Sequence, residues 1–332
     1  MRPTQEDVAR RANVSRALVS LVLRDAPNVS ERSRRKVLKA AEELGYRPNA
    51  FARSLASKQV RTIGVLINDV TNPYFGGVYA SFAAAAEKAG HDLLVAPGLR
   101  SPSKEVTLVN TLLEHRVAGL ALLSPIMATA DLRRIAKAWP TVVVGSEVSG
   151  VGVDVVTTDE RQAMGEVLEH LTGLGHRDIV HITGGQNRAA RDRATAYRQA
   201  MRDLGLTPRE VPGAFTDQGG RQGAQAILDM SPRPTALVAA NDLIAVGAMG
   251  VFAAAGVRVP EDMSVVGYDD SQIARLELIG LTSIRQPVDR FGTAAVEMLI
   301  ERIAGNQAGS MVQRIATELV LRDTTAAAPR SR

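Results

Sequence analysis

Apolar side chains recur every three or four positions in three short blocks at the start of the chain, the periodicity of helices buried along one stripe. Thr4 stands before the first block, 5–12, with Asp7 three residues on, a capping-box spacing that uses the shorter acid. Asn13-Val14 interrupts the pattern, and Ser15 opens a second block, 16–24, whose stripe is Leu18, Val19, Val22 and Leu23. After a turn at Ala26-Pro27-Asn28, Ser30 opens a third block, 31–44, closed by Gly45 where a left-handed cap is preferred. The interval between the first two helices has helix-turn-helix length. Turning Val8, Ala9, Val14, Leu18 and Val22 inward leaves Arg16, Ala17, Ser20 and Leu21 outward on the second helix, where a recognition helix meets base edges. A fourth helix-forming stretch, 50–58, follows Pro48-Asn49; at under three turns and with few core partners it is marginal alone in water.

From residue 61 the pattern changes. Short β-rich runs at 62–68, 92–97, 120–124 and 141–145 alternate with helical patterns at 75–90, 104–117 and 130–139. A second series begins near Asp159, with helices at 161–174, 191–204, 219–230 and 243–255 and strands at 179–183, 236–240 and 264–268. Such alternation predicts parallel sheets with helices on both faces, and two series predict two subdomains. The expected fold class is therefore a small all-α helix-turn-helix head plus an α/β core of two doubly wound parallel-sheet subdomains. In such sheets ligands lie beyond the carboxyl ends of the strands, here in the cleft between the subdomains.

Charge divides the chain at the same place. Residues 1–61 hold 14 Lys/Arg against 6 Asp/Glu and the remainder 26 against 29, so the head carries +8 and the body −3. A basic segment on a mildly acidic body suits DNA, because neutralised phosphates release counterions; the plainer alternative is a solvated basic face. At 332 residues the chain is long for one core, which fits a head with one or two larger units. The absence of cysteine excludes disulfides, thiolate metal sites and cysteine nucleophiles. The start of the chain lacks an apolar signal core, and no apolar run approaches the roughly 20 residues that cross a bilayer. The expectation is a soluble, cytoplasmic protein with no membrane partner.

Between Thr4 and about Phe75 the chain resembles the LacI/GalR family of bacterial transcription regulators. The resemblance rests on Thr4, Asp7-Val8-Ala9, Val14-Ser15, Val19-Ser20, Val29-Ser30, Gly45-Tyr46, Pro48-Asn49, Ala52-Arg53-Ser54-Leu55 and Ile63-Gly64-Val65, all in register. It implies that 49–57 is a hinge helix ordering in the minor groove, with Leu55 wedged between central base pairs. An apolar wedge of that kind unstacks one step and kinks the duplex; the bland reading of Leu55 is a linker leucine. The DNA-contacting set so implied is Thr4, Ser15, Arg16, Ala17, Ser20, Leu21, Asn28, Ser30, Asn49, Ala52, Arg53 and Leu55. Many relatives carry Arg where this chain has Leu21, so no operator is copied from them. Arg16 suits a bidentate contact to guanine, or a phosphate.

The resemblance further implies a core like type I periplasmic binding proteins, with the last helix, 290–304, and strand, 313–321, returning to the first subdomain. The expected division is 1–47 for the DNA-binding head, 48–60 for hinge and linker, 61–158 with 288–322 for the first subdomain, 159–287 for the second, and 323–332 as a disordered tail. Crossings are placed near 157–161 and 284–290.

The effector candidates combine position and resemblance. After the first strand come Asn68, Asp69, Asn72, Tyr74 and Phe75, matching the family's Asn-Pro-Tyr-Phe segment; the aromatic pair can stack on a sugar or base, or Phe75 can pack under the helix it begins. Arg193, rather than Arg191, aligns with the family's effector-binding arginine, a fork suited to vicinal hydroxyls or a carboxylate. Asn241 and Asp269 follow strands, with Asp242 read as a helix cap, and Gln286 matches a pocket-edge amide. Phe215, Asp217 and Gln218 are weaker candidates. Glu147 departs from the Asp common in relatives and either substitutes for it or faces solvent.

Enzyme signatures are absent: no Gly-x-Gly-x-x-Gly follows the first strand, and there is no Walker lysine loop or Gly-x-Ser-x-Gly elbow. His91, His115, His170, His176 and His181 show no ligand spacing around Asp159, Asp242, Asp269 or Asp270. The expected protein is a non-enzymatic, homodimeric regulator, most often a repressor in that family, binding a pseudo-palindromic operator and a sugar-like effector, with no cofactor and no metal. Two rivals stay open: a solute-binding receptor without operator function, and a constitutive DNA-binding regulator without effector.

Overall fold

The computed structural model describes residues 3–23, 26–46, 60–148, 150–306 and 309–329, and it separates into two compact units, Met1–Arg61 and Thr62–Arg332. The helix expected around 48–58, and with it Asn49, Ala52, Arg53 and Leu55, lies outside the described residues.

In the first unit α1 (Gln5–Ala12), α2 (Arg16–Leu23) and α3 (Glu31–Glu43) enclose a core that includes Val8, Ala12, Val19, Val22, Val37 and Ala40. The Asp7 amide donates to the Thr4 hydroxyl at 3.3 Å and the Thr4 amide to Asp7 at 2.9 Å, so the shorter acid does complete the capping box. Ser15 accepts from the Leu18 amide at 3.2 Å and Ser30 from the Ser33 amide at 3.3 Å, which satisfies the next two helix starts. Gly45, at φ 61, lets the Tyr46 amide reach back to the Ala41 carbonyl at 2.8 Å and ends α3. Of the residues expected to face inward, Val8, Ala9, Val19 and Val22 are buried, whereas Val14, Leu18 and Leu23 are only half-buried.

The second unit contains two sheets. The first is built from β1 (Thr62–Ile67), β2 (Asp92–Pro97), β3 (Gly119–Leu123), β4 (Thr141–Val144) and β5 (Asp154–Thr158), interleaved with α4 (Pro73–Lys88), α5 (Pro102–Glu114) and α6 (Thr129–Ala138). The second holds β6 (Ile179–Ile182), β7 (Arg209–Val211), β8 (Ala236–Ala239), β9 (Ser264–Asp269) and β10 (Thr282–Arg285), with α7 (Glu160–Gly173), α8 (Arg188–Asp203), α9 (Asp217–Leu228) and α10 (Asp242–Ala254). Then α11 (Val288–Ile303) and β11 (Val312–Ile315) return to the first subdomain, and β12 (Glu318–Val320) ends in the second. The orders are β11-β5-β4-β3-β1-β2 and β12-β10-β9-β8-β6-β7. Every pairing is parallel except β10 with β12. Central strands buried on both faces explain their unbroken apolar runs, such as Thr141–Val144. Three short strands, β5, β7 and β10, were not anticipated from the pattern.

The expected division needs two corrections at its end. Residues 318–320 do not stay with the first subdomain: β12 runs antiparallel to β10, pairing Ser283 with Val320 and Arg285 with Glu318, so the chain crosses a third time after Ile315. Nor is 323–329 a disordered tail. The Val265 amide donates to the Thr324 carbonyl and the Thr324 hydroxyl to the Val265 carbonyl, both at 2.7 Å. Buried His176 meets the Ala326 carbonyl at 3.0 Å through Nε2, and Ala328 N donates to Leu174 O at 2.8 Å. An Ala/Thr-rich composition suggested disorder, but backbone groups, which composition does not report, hold the segment. Among the described residues no helix is long and apolar enough to cross a membrane.

His181 sits within this second sheet, stacked on Tyr197 with 5.0 Å between ring centroids. Nδ1 donates to the Val238 carbonyl at 2.8 Å, so Nε2 carries the lone pair. Burial depresses its pKa to about 4, so the unfolded chain takes up a proton between roughly pH 6.5 and 4 that the folded chain refuses. Stability from this group is complete above pH 6.5 and falls, by roughly 2–3 kcal/mol, as the solution is acidified toward pH 4. Urea midpoints at pH 7.5 and 5 should show that His181→Asn loses less on acidification than the parent; equal slopes would assign the acid sensitivity elsewhere.

Candidate DNA-reading surface and ligand cavity

On the head, Arg16, Ala17 and Leu21 are exposed on the outer face of α2, and Ser20 beside them is half-buried. Arg16 lies 3.7 Å from Glu6 with both side chains mostly in solvent, a loose pair that a phosphate or base edge can replace. Thr4, Ser15 and Ser30 each cap a helix start, and Asn28 is exposed in the turn before Ser30. Helix starts offer amides and a positive dipole end to phosphate. The hydroxyl of Thr4 also holds the Asp7 carboxylate below its usual range.

In the second unit a cavity of about 220 Å³ lies beyond the carboxyl ends of the strands. Topology puts it there. In the first sheet the chain order reverses between β1 and β3, in the second between β6 and β8, and the residues that follow these strands, Asn68, Ser124, Gly184 and Asn241, all line the cavity.

Arg193 comes from the second turn of α8 and is buried at 5 % exposure. Its Nη1 donates to the Ala240 carbonyl at 2.7 Å and its Nε to Glu160 at 3.3 Å. The guanidinium lies 3.6 Å from the centre of the Tyr268 ring and 5.6 Å from that of Phe215, an aromatic slot that fixes its plane. Glu160 and the 3.8 Å neighbour Asp269 keep this arginine firmly charged despite its burial. Asp269, which ends β9, has φ 110, a backbone strain that persists only where the surroundings impose it. Burial pushes its carboxyl well above the usual range while Arg193 pulls it back. Beneath it Asp242, also raised by burial, accepts from the Ser271 amide and hydroxyl and the Ser283 hydroxyl at 2.6–2.8 Å.

The opposite wall comes from the start of α4. Asn72 caps that helix through the Tyr74 amide at 3.0 Å, and Pro73 fits its first turn. Tyr74 and Phe75 meet edge to face with centroids 5.2 Å apart. Asn241 spends its oxygen on the Ile244 amide at 3.0 Å, leaving a buried Nδ2 with no partner among the described residues. Asn68 Oδ1 and Ser146 Oγ are likewise buried without partners, and all three residues line the cavity. Unsatisfied buried polar atoms are costly, so three that converge on one cavity mark a place built for a polar guest.

The structure brings six of the seven expected effector residues to this cavity: Asn72, Tyr74, Phe75, Arg193, Asn241 and Asp269. Gln286 is the exception. It is buried and does not line the space, and it bridges the subdomains instead, accepting from the Tyr74 hydroxyl at 3.1 Å and donating to Asp269 at 2.6 Å. Asn68, Asp69 and Phe215 line the cavity; Asp217, Gln218 and Arg191 do not. Glu147 turns to Arg314 at 2.6 Å, and Ser146 occupies the wall. Arg100, Ser124, Gln186, Asn187 and Arg188 also line it and were not anticipated. Ser124, Ser146 and Gly184 follow strands, so the carboxyl-end rule applied to every strand finds them; Arg100 and Arg188 carry no such signal.

Comparison with known proteins agrees with this geometry. Residues 4–49 match the bacterial regulatory proteins of the lacI family, and 168–325 match a periplasmic binding protein-like domain. The HTH-type transcriptional regulator GalR of Salmonella typhimurium strain SL1344 is 34 % identical over 302 residues, covering 90 % of this chain and 88 % of its own length. The lac repressor dimer bound to operator and the anti-inducer ONPF superposes with a TM-score of 0.87 at 30 % identity, covering 98 % of this chain and all of that one. A complex of the transcriptional regulator CelR with cellobiose gives a TM-score of 0.71 at 31 % identity over 97 % of this chain and all of its own. A three-helix head with an exposed reading face, two doubly wound subdomains and a polar cavity thus agree with full-length similarity, and the chain belongs to the LacI family of bacterial transcription regulators, not to an enzyme family.

Proposed function

We propose that this protein is a cytoplasmic, homodimeric repressor whose affinity for a pseudo-palindromic operator is set by one small polar molecule held between the core subdomains. The observation that carries the reading is the convergence of the orphaned Asn68 Oδ1, Ser146 Oγ and Asn241 Nδ2 on a cavity that also holds an arginine, a carboxylate and aromatic rings. Hydroxyls can donate to Asn68 and accept from Asn241 and Arg193, while the Phe75 and Phe215 rings suit the apolar face of a sugar. A neutral sugar or sugar derivative is the fitting class, in line with the cellobiose-bound relative. The head reads through α2, and Leu55 of each protomer wedges the central base step. Two protomers supply the paired half-sites that a palindrome requires.

The experiment is to incubate the protein with fragmented genomic DNA of its source, sequence what is retained, and measure binding to the enriched site with and without a panel of sugars, polyols and nucleobases. The expected result is one pseudo-palindrome whose affinity falls steeply and linearly in log–log salt plots and changes with one compound of the panel. Leu55→Ala should weaken that site far more than random DNA. Absence of enrichment with or without the panel would favour a receptor-like protein, and tight binding that no compound alters would favour a constitutive regulator.

A further inference from the structure

Arg188 opens α8 in the second subdomain, yet all three of its hydrogen bonds go to the first. It donates to the carbonyls of Pro125 and Met127, each at 2.9 Å, and to the Thr129 hydroxyl at 3.1 Å. Pro125 and Met127 lie in the loop between β3 and α6 and Thr129 opens α6, and the loop is held from behind by one side chain. Glu105 of α5, fully buried, accepts the amides of Ile126 and Met127 at 2.8 Å each through a single oxygen. Its other oxygen has no partner among the described residues and lies where a Cβ on Gly98 would come within 3.2 Å. The amides of one short loop therefore face a buried carboxylate, while its carbonyls face a guanidinium from across the cleft.

We propose that Arg188 and Glu105 form a latch on the effector cleft, with Arg188 the positioning residue that holds the subdomains closed and Glu105 the buried anchor that presents the loop to it. The proposal deepens the effector-responsive reading above and rests on cleft closure being part of it. Four features support the latch. Arg188, Pro125 and Ile126 line the cavity, so a guest there lies against the latch itself. Three of the guanidinium's five N–H groups go to main-chain and hydroxyl oxygens of one loop, which fixes its plane across the cleft. Among the described residues Arg188 makes every hydrogen bond that joins this loop to the second subdomain, so opening would strip the loop of it, while the Tyr74–Gln286 bond and the contact of Asp192 with the Glu147 backbone would part elsewhere along the cleft. The groups shown against Glu105, on Gly98, Ile126 and Met127, belong to the first subdomain and would stay in place.

That last point sets a pH dependence. Burial raises the Glu105 carboxyl to about 7, the two amides lower it, and the nearby Arg188 lowers it further. Of the other charged groups nearby, Asp69 and Arg100 on the adjoining loops pair with each other at 3.6 Å, while Arg191 and Asp192 lie beside Arg188 on α8. Withdrawing Arg188 leaves a buried carboxylate without its counter-charge, so the open state has the higher pKa. The closed state is then favoured above this range and loses population as pH falls through about 7.

The test uses the full chain without effector. Because the sequence has no cysteine, Lys137→Cys on α6 and Arg202→Cys on α8 give one exposed spin label on each subdomain. Distances between the labels should show a dominant short population at pH 8 that declines by pH 6. Arg188→Ala should lower the short-to-long ratio on the order of tenfold, as expected for losing charge-assisted hydrogen bonds. Arg188→Lys, which cannot reach both carbonyls, should fall between. Glu105→Gln is nearly isosteric and should both weaken closure and abolish the pH dependence. If Arg188→Ala or Arg188→Lys leaves the distribution unchanged, or if Glu105→Gln keeps the parent pH profile, the latch is overturned. Neither result touches the effector reading, which the compound panel decides separately.

Discussion

Arg193→Ala is expected to abolish the effector response while leaving operator binding in the absence of effector unchanged. The side chain offers the cavity a fixed cationic donor, and alanine offers nothing in its place. Truncation also leaves buried Glu160 without the cation 3.3 Å away, and removes the one 3.8 Å from Asp269. Breaking a buried pair by removing one partner typically costs about 3–5 kcal/mol, so the core should unfold at lower urea while the head, a separate compact unit, keeps its DNA-reading surface. The loss should grow toward alkaline pH, because Asp269, raised to about 8 by burial, then ionises with no cation beside it. Arg193→Lys keeps the charge but not the planar stack on Tyr268, and should recover stability more than response. A variant that folds and answers the same effector at the parent concentration would remove Arg193 from the binding site.

Gly220→Ala should strongly destabilise the second subdomain, although helix propensity argues the reverse. Alanine is favoured over glycine inside a helix by about 1 kcal/mol. At this position, however, the added Cβ would be driven into the carbonyl of Ile244, and at Gly247 into the carbonyl of Asp217. The two glycines lie on α9 and α10 and let those helices touch backbone to backbone. A carbonyl cannot rotate aside as a side chain can, so the helices must separate and lose packing along their length. Overpacking of this kind costs about 3 kcal/mol or more, which outweighs the propensity gain. Phe215 stands at the approach to α9, so effector affinity should fall in parallel. Gly165 is the control: it lies within α7 and a Cβ there meets nothing within 4 Å, so Gly165→Ala should stabilise by up to about 1 kcal/mol. Urea midpoints moving in the same direction for both variants would refute the helix-contact argument.

The same contrast runs through the chain. Caps, stripe and stop signals lie within a few residues of the backbone groups they satisfy, so the head's three helices and the outward face of Arg16, Ala17 and Leu21 were legible in the sequence. Alternating apolar runs and helical periods likewise specify parallel sheets, because a strand buried on both faces must be apolar throughout. The carboxyl-end rule then nominated Asn72, Tyr74, Phe75, Asn241 and Asp269 from their places after strands. Resemblance, rather than spacing, singled out Arg193 over Arg191.

What periodicity encodes is burial, and burial does not name a partner. Resemblance put Gln286 at the pocket edge, but its bridge to Tyr74 spans 212 residues of sequence and depends on how the subdomains meet. Arg188 lies before the helix expected from residue 191 and carried no signal of its own; the fold places it against Pro125, 63 residues away. The return of Glu318–Val320 to the second sheet depends on which edge remained open beside β10. The tail's Ala/Thr-rich composition was misleading because its order comes from the main chain and from His176. Sequence alone determined which elements form and which faces they hide, since those follow from local hydrogen bonding and the removal of apolar surface from water. Tertiary structure alone decided which polar groups share the cavity and which bridge it, since those contacts join residues distant along the chain whose types are common to many surfaces.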